Sequence, residues 1–195
     1  MKVLAINGSP REGGNTELLL KAVLKSIETE GIDTMLIKVG GSGIKPCMAC
    51  TSCFHSKNRR CIMSDDVFNK IFEEMLKADA IILGSPTYFA GMTPELKSLI
   101  DRSGYVARAN GGLFKHKIGA AVVAQRRGGA TSVLESIYFM FLMSQMFVVG
   151  STYWNMGFGR AQGEVLEDKE AMENMEDLGK NIAFLLKKIK TNAPA

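Results

Sequence analysis

The chain has 195 residues, of which 46% are hydrophobic and 23% charged, and this is enough apolar material for one domain with a sizeable core. The formal net charge is +4 and the basic residues are spread along the chain, so we expect no nucleic-acid partner. The longest apolar run, residues 137–150, is interrupted by two polar residues and is too short to span a membrane. Because the first strand pattern starts at once, we also expect no secretion signal and a cytoplasmic protein without a membrane partner.

A short apolar strand, residues 3–6, leads into a polar glycine-rich loop, residues 8–16, and then into a helical pattern. Such a loop favours a phosphate group, because backbone N–H groups and the helix N-terminus point at it. Ser9, Asn15 and Thr16 add side-chain donors. The loop lacks both the Walker motif and the dinucleotide glycine motif, so neither kind of nucleotide site is indicated. An ordinary glycine-rich turn before a capped helix is the alternative.

The rest of the chain alternates between strand and helix patterns. Further strands are predicted at residues 34–39, 78–84, 117–124 and 147–150, and further helices at 65–77, from 93, at 130–146 and from 168 or 170. Residues 151–163 are predicted to be irregular. The alternation favours an α/β fold with a doubly wound five-stranded parallel sheet and helices on both faces. We expect a single domain over 1–195, with a cysteine-rich loop at 46–62 and a closing C-terminal helix.

Ligands of such sheets bind outside the carboxyl ends of the strands. Three loops follow strands and should meet at that edge: 8–16, 85–91 and 125–129. In the second loop, Tyr88 and Phe89 suit a flat heteroaromatic ring, with core packing as the alternative. In the third, Arg126 and Arg127 suit a ring or a phosphate, with a solvated charged turn as the alternative. A flavin mononucleotide, FMN, satisfies the phosphate loop and the aromatic loop together.

All four cysteines lie in one short segment, at Cys47, Cys50, Cys53 and Cys61. Such clustering without a secretion signal indicates metal or redox chemistry before structural disulfides. Three thiols at two-residue spacing fit a [4Fe–4S] cluster better than zinc, although four-cysteine zinc sites exist. The chain shows no Ser-His-Asp or paired-carboxylate arrangement, so we predict no catalytic side chain and expect a cofactor to carry the chemistry.

Two motifs carry a resemblance to a known family: G-S-P-R-x-x-G-N-T at residues 8–16 and S-P-T-Y-F-x-G-x-x-P-x-L-K-x-x-I-D-R at residues 85–102. Together they resemble the NADPH-dependent FMN reductase superfamily, and the pattern C-x2-C-x2-C-x7-C resembles the iron–sulfur flavoproteins of anaerobes. The resemblance implies a flavodoxin-like fold that binds FMN, with the phosphate in the first loop and residues 86–89 along the isoalloxazine ring. It also implies homo-oligomers in which the flavin lies near a subunit interface.

The predicted site therefore has two parts. The cofactor-binding residues are Ser9, Arg11, Gly14, Asn15, Thr16, Pro86, Thr87, Tyr88, Phe89, Gly91 and Arg126, and the metal ligands are Cys47, Cys50, Cys53 and Cys61. One departure from the branch is the spacing of seven residues before the last cysteine, at the long end of its range. Cluster-free reductases carry a similar cysteine pattern followed by an Asp pair, as at Asp65 and Asp66.

Three functions stay open at this point. The first is an FMN flavoprotein that moves electrons through a [4Fe–4S] cluster, from a donor such as ferredoxin to an acceptor. The second is a cluster-free NAD(P)H-dependent FMN or quinone reductase with free thiols. The third is a zinc-stabilised, flavin-binding interaction module without turnover.

Two surfaces predict partners. The helix at 130–146 and the residues after it carry too many apolar groups for one face, which predicts a homodimer or homotetramer; the alternative is a helix buried all round. These groups are Tyr138, Phe139, Met140, Phe141, Met143, Met146 and Phe147, with Trp154 and Phe158 beyond them. Lys57, Arg59 and Arg60 form a positive patch in the cysteine loop, which predicts an acidic partner such as a ferredoxin; the alternative is a solvated loop tip.

Overall fold

The computed structural model describes residues 1–191, so the last four residues of the predicted single domain lie outside the described part. The strands are β1 (Lys2–Asn7), β2 (Asp33–Lys38), β3 (Ala80–Pro86), β4 (Ile118–Gln125), β5 (Phe147–Val148) and β6 (Met156–Phe158). The helices are α1 (Asn15–Thr29), α2 (Ser52–Ser56), α3 (Phe68–Lys77), α4 (Pro94–Ala109), α5 (Ala130–Met143) and α6 (Lys169–Thr191), and a 3-10 turn covers Glu164–Glu167.

The sheet is parallel and has the strand order β2-β1-β3-β4-β5, which confirms the predicted doubly wound fold. Asn7 in β1 pairs with Gly84 in β3, and Gly84 pairs with Val122 in β4. Because the carboxyl ends of these three strands stand nearly level, the loops that follow them leave from the same edge of the sheet.

The fifth strand position is divided between two short strands, which the sequence did not predict. β5 pairs with the start of β4, from Ile118, and β6 pairs with its end, up to Gln125. The segment predicted to be irregular, 151–163, therefore contains a strand, β6. Three residues are too few to show a period-two pattern, so pairing with β4 rather than local sequence determines this strand.

Alternating side chains of the strands divide the core into two layers. Leu4 and Ile6 of β1 pack with α3, α4 and α5, whereas Val3 and Ala5 pack with α1 and α6. Close approach of the helices depends on small residues: a Cβ atom at Gly84 would lie 2.6 Å from the Leu20 side chain. The fully buried strands read as continuous apolar runs because both of their faces are covered.

Several predicted element ends shift by a few residues. α1 begins at Asn15, after Gly14, rather than at Glu17. α5 ends at Met143 rather than Met146, because the chain turns through Gln145, whose φ is +58°. The short helix α2 inside the cysteine loop was not predicted.

The apolar residues of the α5 region do not all face outward, which corrects the expectation for this surface. Met140, Phe141 and Met146 are buried in the core of their own chain. Phe139 and Met143 are 60% and 73% exposed, and the predicted Phe147 is exposed as well.

In the described part of the chain, no helix is both long enough and apolar enough to cross a membrane.

Candidate functional site

Hydrogen bonds join the three strand-end loops side by side at the carboxyl edge of the sheet. The Gly8 N–H donates to the Gly84 carbonyl at 2.8 Å, and the Thr93 hydroxyl donates to the Gly8 carbonyl at 2.9 Å. The Thr87 N–H donates to the Ala124 carbonyl at 2.9 Å. The predicted convergence of the loops is therefore confirmed.

The first loop forms a polar cradle at the N-terminus of α1. Ser9 and Thr16 are buried there, and Gly14 is the residue before the helix. The Thr16 hydroxyl has no hydrogen-bond partner among residues 1–191. A buried hydroxyl costs free energy unless it is paired, and a helix N-terminus favours an anion. The cradle thus fits a phosphate group that accepts from Thr16.

One carboxylate shares this loop. Glu17 accepts from the Gly13 N–H at 3.0 Å and forms an ion pair with Lys21 at 2.6 Å. The hydrogen bond from Lys21 lowers the pKa of Glu17, so the carboxylate is charged near neutral pH. Because its charge is paired with Lys21, the helix N-terminus keeps its preference for an anion.

Asn15 has a contact that its sequence position did not suggest. Its Nδ2 donates to the Ala161 carbonyl at 2.9 Å, and its Oδ1 accepts from the Gly163 N–H at 2.9 Å. Both polar atoms of the side chain thus fasten residues 159–163 over the cradle. The predicted phosphate contact of this side chain stays a prediction, while Arg11 is exposed beside the cradle.

The second loop is a tight hairpin that presents aromatic rings to the outside. Tyr88 and Gly91 exchange two backbone hydrogen bonds of 2.8 Å, so Phe89 and Ala90 form the turn. Both turn residues lie in the left-handed region, with φ of +49° and +61°, which costs about 1–3 kcal/mol for each residue other than glycine. The Phe89 ring is fully exposed and Tyr88 is 43% exposed. Core packing, the alternative for these rings, is therefore excluded.

The third loop packs against the hairpin. Gln125 is buried, and its Oε1 accepts from the Ala130 N–H at 3.2 Å, which fixes the start of α5. Gly129 has a φ of +90°, and a Cβ atom there would lie 3.0 Å from the Thr87 side chain. Arg126 is exposed at this edge of the sheet, where it is available to a ligand.

The four cysteines line one small cavity between the cysteine loop and α4. The surface of this cavity is almost entirely apolar, and Arg102 is the one charged residue in its walls. The other wall residues are Met48, Thr51, Ile62, Met63, Tyr105 and Val106. All four thiols are free, and they range from the buried Cys53 to the exposed Cys50. Hydrogen bonds from Ser52 lower the pKa of the Cys50 thiol, whereas burial raises the pKa of Cys53.

The backbone of the loop coils tightly to bring the thiols to this cavity. Ala49, Thr51, Lys57 and Arg59 all have positive φ values between +44° and +60°. Within residues 1–191, no three Cys, His, Asp or Glu side chains are placed to hold a single metal ion. A cluster spreads its four thiolate ligands over several irons, so four thiols around one apolar cavity fit an iron–sulfur cluster.

The residues that fasten the cysteine loop were not assigned this role from the sequence. Arg102 of α4 and Asp66 form an ion pair whose side chains are 0% and 3% exposed. Asn69 of α3 holds the backbone of Cys61 by hydrogen bonds of 2.9 and 3.0 Å. Arg102 closes the second sequence motif, and this was the only sequence signal for it.

Comparisons with known proteins agree with this fold and site. The family model described as NADPH-dependent FMN reductase matches residues 1–161. An iron–sulfur flavoprotein of Methanocaldococcus jannaschii is 39% identical over 97% of this chain and 100% of its own length. An iron–sulfur flavoprotein of Methanosarcina thermophila is 33% identical over 98% of each chain.

Solved structures with low sequence identity share the fold. An archaeal flavodoxin superposes with a TM-score of 0.63 at 19% identity, covering 96% of this chain and 99% of its own. A flavone reductase gives a TM-score of 0.72 at 21% identity, covering 100% of this chain and 66% of its own. The fold and the site together define a flavodoxin-like flavin redox protein. The chain belongs to the NADPH-dependent FMN reductase family, in its iron–sulfur flavoprotein branch, and is an oxidoreductase.

Proposed function

We propose that the protein is an FMN-containing electron-transfer flavoprotein in which the four cysteines hold a [4Fe–4S] cluster. The observation that carries the proposal is the common cavity lined by Cys47, Cys50, Cys53 and Cys61. The names of the similar archaeal relatives support the same assignment. Bound FMN would supply two-electron chemistry and a bound cluster one-electron chemistry. A one-electron donor could therefore serve a two-electron acceptor, or the reverse.

The strand-end loops would hold the flavin. The Thr16 hydroxyl and the first N–H groups of α1 would bind the phosphate, with Ser9 and Gly14 shaping the cradle and Arg11 adding charge. The hairpin at Tyr88 would place the isoalloxazine ring against the carboxyl edge of the sheet.

The donor is proposed from the charge of the cysteine loop. Lys57, Arg59 and Arg60 are exposed, and the Arg59 N–H donates to Asn110 Oδ1 at 3.0 Å, which fixes this patch against the end of α4. A fixed positive patch beside the thiols suits an acidic one-electron donor such as a ferredoxin. NAD(P)H is the alternative donor and goes with the cluster-free FMN or quinone reductase, which the description of the matching family model, NADPH-dependent FMN reductase, favours.

We also propose that the protein forms a homodimer or homotetramer. Phe139, Leu142 and Met143 on α5 are each at least 60% exposed, and Phe147 and Val148 continue the surface. Trp154 and Phe158 are also exposed, and we include them in the proposed contact. Exposed apolar area of this kind marks interaction sites. Light scattering should show a multiple of the 21.3 kDa chain, and a single 21.3 kDa species would contradict the proposal.

The functional proposal is tested by iron and acid-labile sulfide determination on protein purified without oxygen. We expect about four irons and four sulfides for each bound FMN. Full FMN with near-zero iron, even after reconstitution, would support the cluster-free reductase instead. Recovery of FAD rather than FMN after heat release would contradict the flavin assignment.

A further inference from the structure

Arg102 is a charged side chain with no exposed surface. Its Nη1 donates to the Lys45 carbonyl at 3.1 Å and to Asp66, and its Nη2 donates to the Met63 carbonyl at 3.0 Å. The guanidinium carbon lies 4.1 Å from the centre of the Phe68 ring. Arginine is almost never fully buried unless it is paired, and the partner here is the equally buried Asp66.

These contacts tie the two ends of the cysteine loop together. Lys45 precedes the first cysteine and Met63 follows the last, and both carbonyls accept from the same guanidinium. Asp66 completes the junction by accepting from the Lys45 N–H at 2.9 Å. One residue on a rigid helix therefore closes the loop that carries all four thiols.

The guanidinium is only partly used by these contacts. Its Nε is buried and has no hydrogen-bond partner among the described residues, although an arginine carries five N–H donors. Arg102 also lines the cavity that the four cysteines share, where it is the only charged residue. Burial disfavours the charged guanidinium, but the hydrogen bond to Asp66 counters it, and the pKa of Arg102 is raised. A permanent cation with one N–H donor unpaired among the described residues thus lines the cavity that the four cysteine thiols share.

We propose that Arg102 is a positioning residue that gives positive charge and an N–H donor to the sulfur atoms around this cavity, and so favours the reduced state of the group bound there. The inference rests on the proposed four-cysteine cluster. A one-electron reduction adds one negative charge to such a cluster without breaking a bond, and the electron comes from the donor. Hydrogen bonds to the sulfurs and nearby charge set the reduction potentials of these clusters.

The charges of Arg102 and Asp66 predict that two variants shift the cluster potential in opposite directions, which a purely structural role would not produce. Asp66 offsets the charge of Arg102, so removing the carboxylate alone should raise the cluster potential. Removing both charges together should lower it. Loosening of the loop, by contrast, would shift the potential of both variants in the same direction.

The test is an EPR-monitored redox titration of anaerobically purified protein, with dithionite as the reductant. The variants are Asp66→Asn and the neutral pair Arg102→Gln with Asp66→Asn, which avoids an unpaired buried charge. Lys97→Gln with Asp101→Asn is the matched control, because this exposed ion pair lies on the same helix outside the cysteine cavity. The FMN potential of each protein serves as an internal reference.

We expect the neutral pair to lose about tenfold in the equilibrium constant for cluster reduction, which is 59 mV for a one-electron couple. Asp66→Asn should shift the opposite way, and the control and the FMN potential should not change. Unchanged cluster potentials, or shifts of the same sign in both variants, would overturn the inference and leave the proposed function intact. If the wild-type protein forms no cluster, the inference and the proposed function fail together.

If the neutral pair does not assemble a cluster, a second variant, Arg102→Lys, takes its place in the titration. Arg102→Lys keeps the charge but loses Nε and the forked geometry. We expect it to hold the cluster with a potential below the wild type. A potential equal to or above the wild type would overturn the assignment of Nε as a donor to the sulfur atoms around the cavity.

Discussion

Two hydrogen bonds join the main chain of Cys61 to the side chain of Asn69. The Cys61 N–H donates to Asn69 Oδ1 at 2.9 Å, and Asn69 Nδ2 donates to the Cys61 carbonyl at 3.0 Å. Asn69 is buried in α3, so the fourth cysteine is attached to a helix of the main domain although it lies in a long loop. The main chain that carries this thiol is therefore held by the fold of the domain.

Asn69→Ala should detach the fourth cysteine. The change leaves the Cys61 backbone unpaired, which should cost about 1–3 kcal/mol of stability. We expect the iron content per FMN to fall while FMN stays bound. Asn58→Ala, in an exposed turn of the same loop, is the control and should keep its iron. Unchanged iron in Asn69→Ala would show that this attachment does not matter.

Thr16→Val should separate ligand binding from folding. The Thr16 hydroxyl is buried without a hydrogen-bond partner in the part of the chain that the structure describes, so its loss should not lower the stability of the FMN-free protein. Because the hydroxyl would donate to a charged phosphate, FMN affinity should fall by about 1.5–3 kcal/mol, measured by flavin fluorescence quenching. Thr29→Val, at the other end of α1, is the control and should keep its affinity. Equal FMN binding by both variants would remove Thr16 from the phosphate site.

Ala90→Gly should stabilise the hairpin. Ala90 has a φ of +61°, a conformation that glycine adopts without a steric penalty, so we expect a gain of about 1 kcal/mol in the free energy of unfolding. Ala22→Gly in the middle of α1 should instead lose about 0.5–1 kcal/mol. Denaturant unfolding measures both values, and a loss of stability in Ala90→Gly would contradict the strained turn.

The Asp66 carboxyl should make stability depend on acid pH. Burial raises the pKa of this group, but hydrogen bonds from Arg102 and from the Lys45 and Phe68 N–H groups outweigh it, so the pKa is lowered. A lowered carboxyl pKa stabilises the fold above the ordinary value of about 3.9, and this contribution is lost as the pH falls through the folded-state pKa. In unfolding measurements from pH 7 downward, the neutral pair Arg102→Gln with Asp66→Asn should lose stability less steeply than the wild type. If this variant and the wild type lose stability with the same pH slope, the lowered pKa of Asp66 is contradicted.

The sequence was sufficient to predict the fold and the strand-end loops, because buried parallel strands and glycine-rich loops each have a recognisable local sequence pattern. It was not sufficient for contacts between distant segments. Asn15 was assigned to the phosphate from its place in the loop, but its partners Ala161 and Gly163 lie 146 and 148 residues further along the chain. No local pattern marks such a pair. The three residues of β6 were missed for the same reason.

The burial of Arg102 also lay beyond sequence reasoning. A charged residue in an amphipathic helix is normally solvated, and only the arrival of residues 45–66 over α4 covers it. The cysteine spacing predicted a common site, and the structure places the four thiols around one cavity. The residues that fasten this loop became visible only in three dimensions.

The central claim is that the chain carries two separate redox centres, FMN at the sheet edge and a cluster on the four cysteines. The most direct measurement is the iron, sulfide and FMN content of anaerobically purified wild type and Cys50→Ala, with EPR of the reduced proteins. The account predicts a reducible cluster and FMN in the wild type, and FMN alone in Cys50→Ala. A wild type that binds FMN but takes up no iron or sulfide on reconstitution would contradict it.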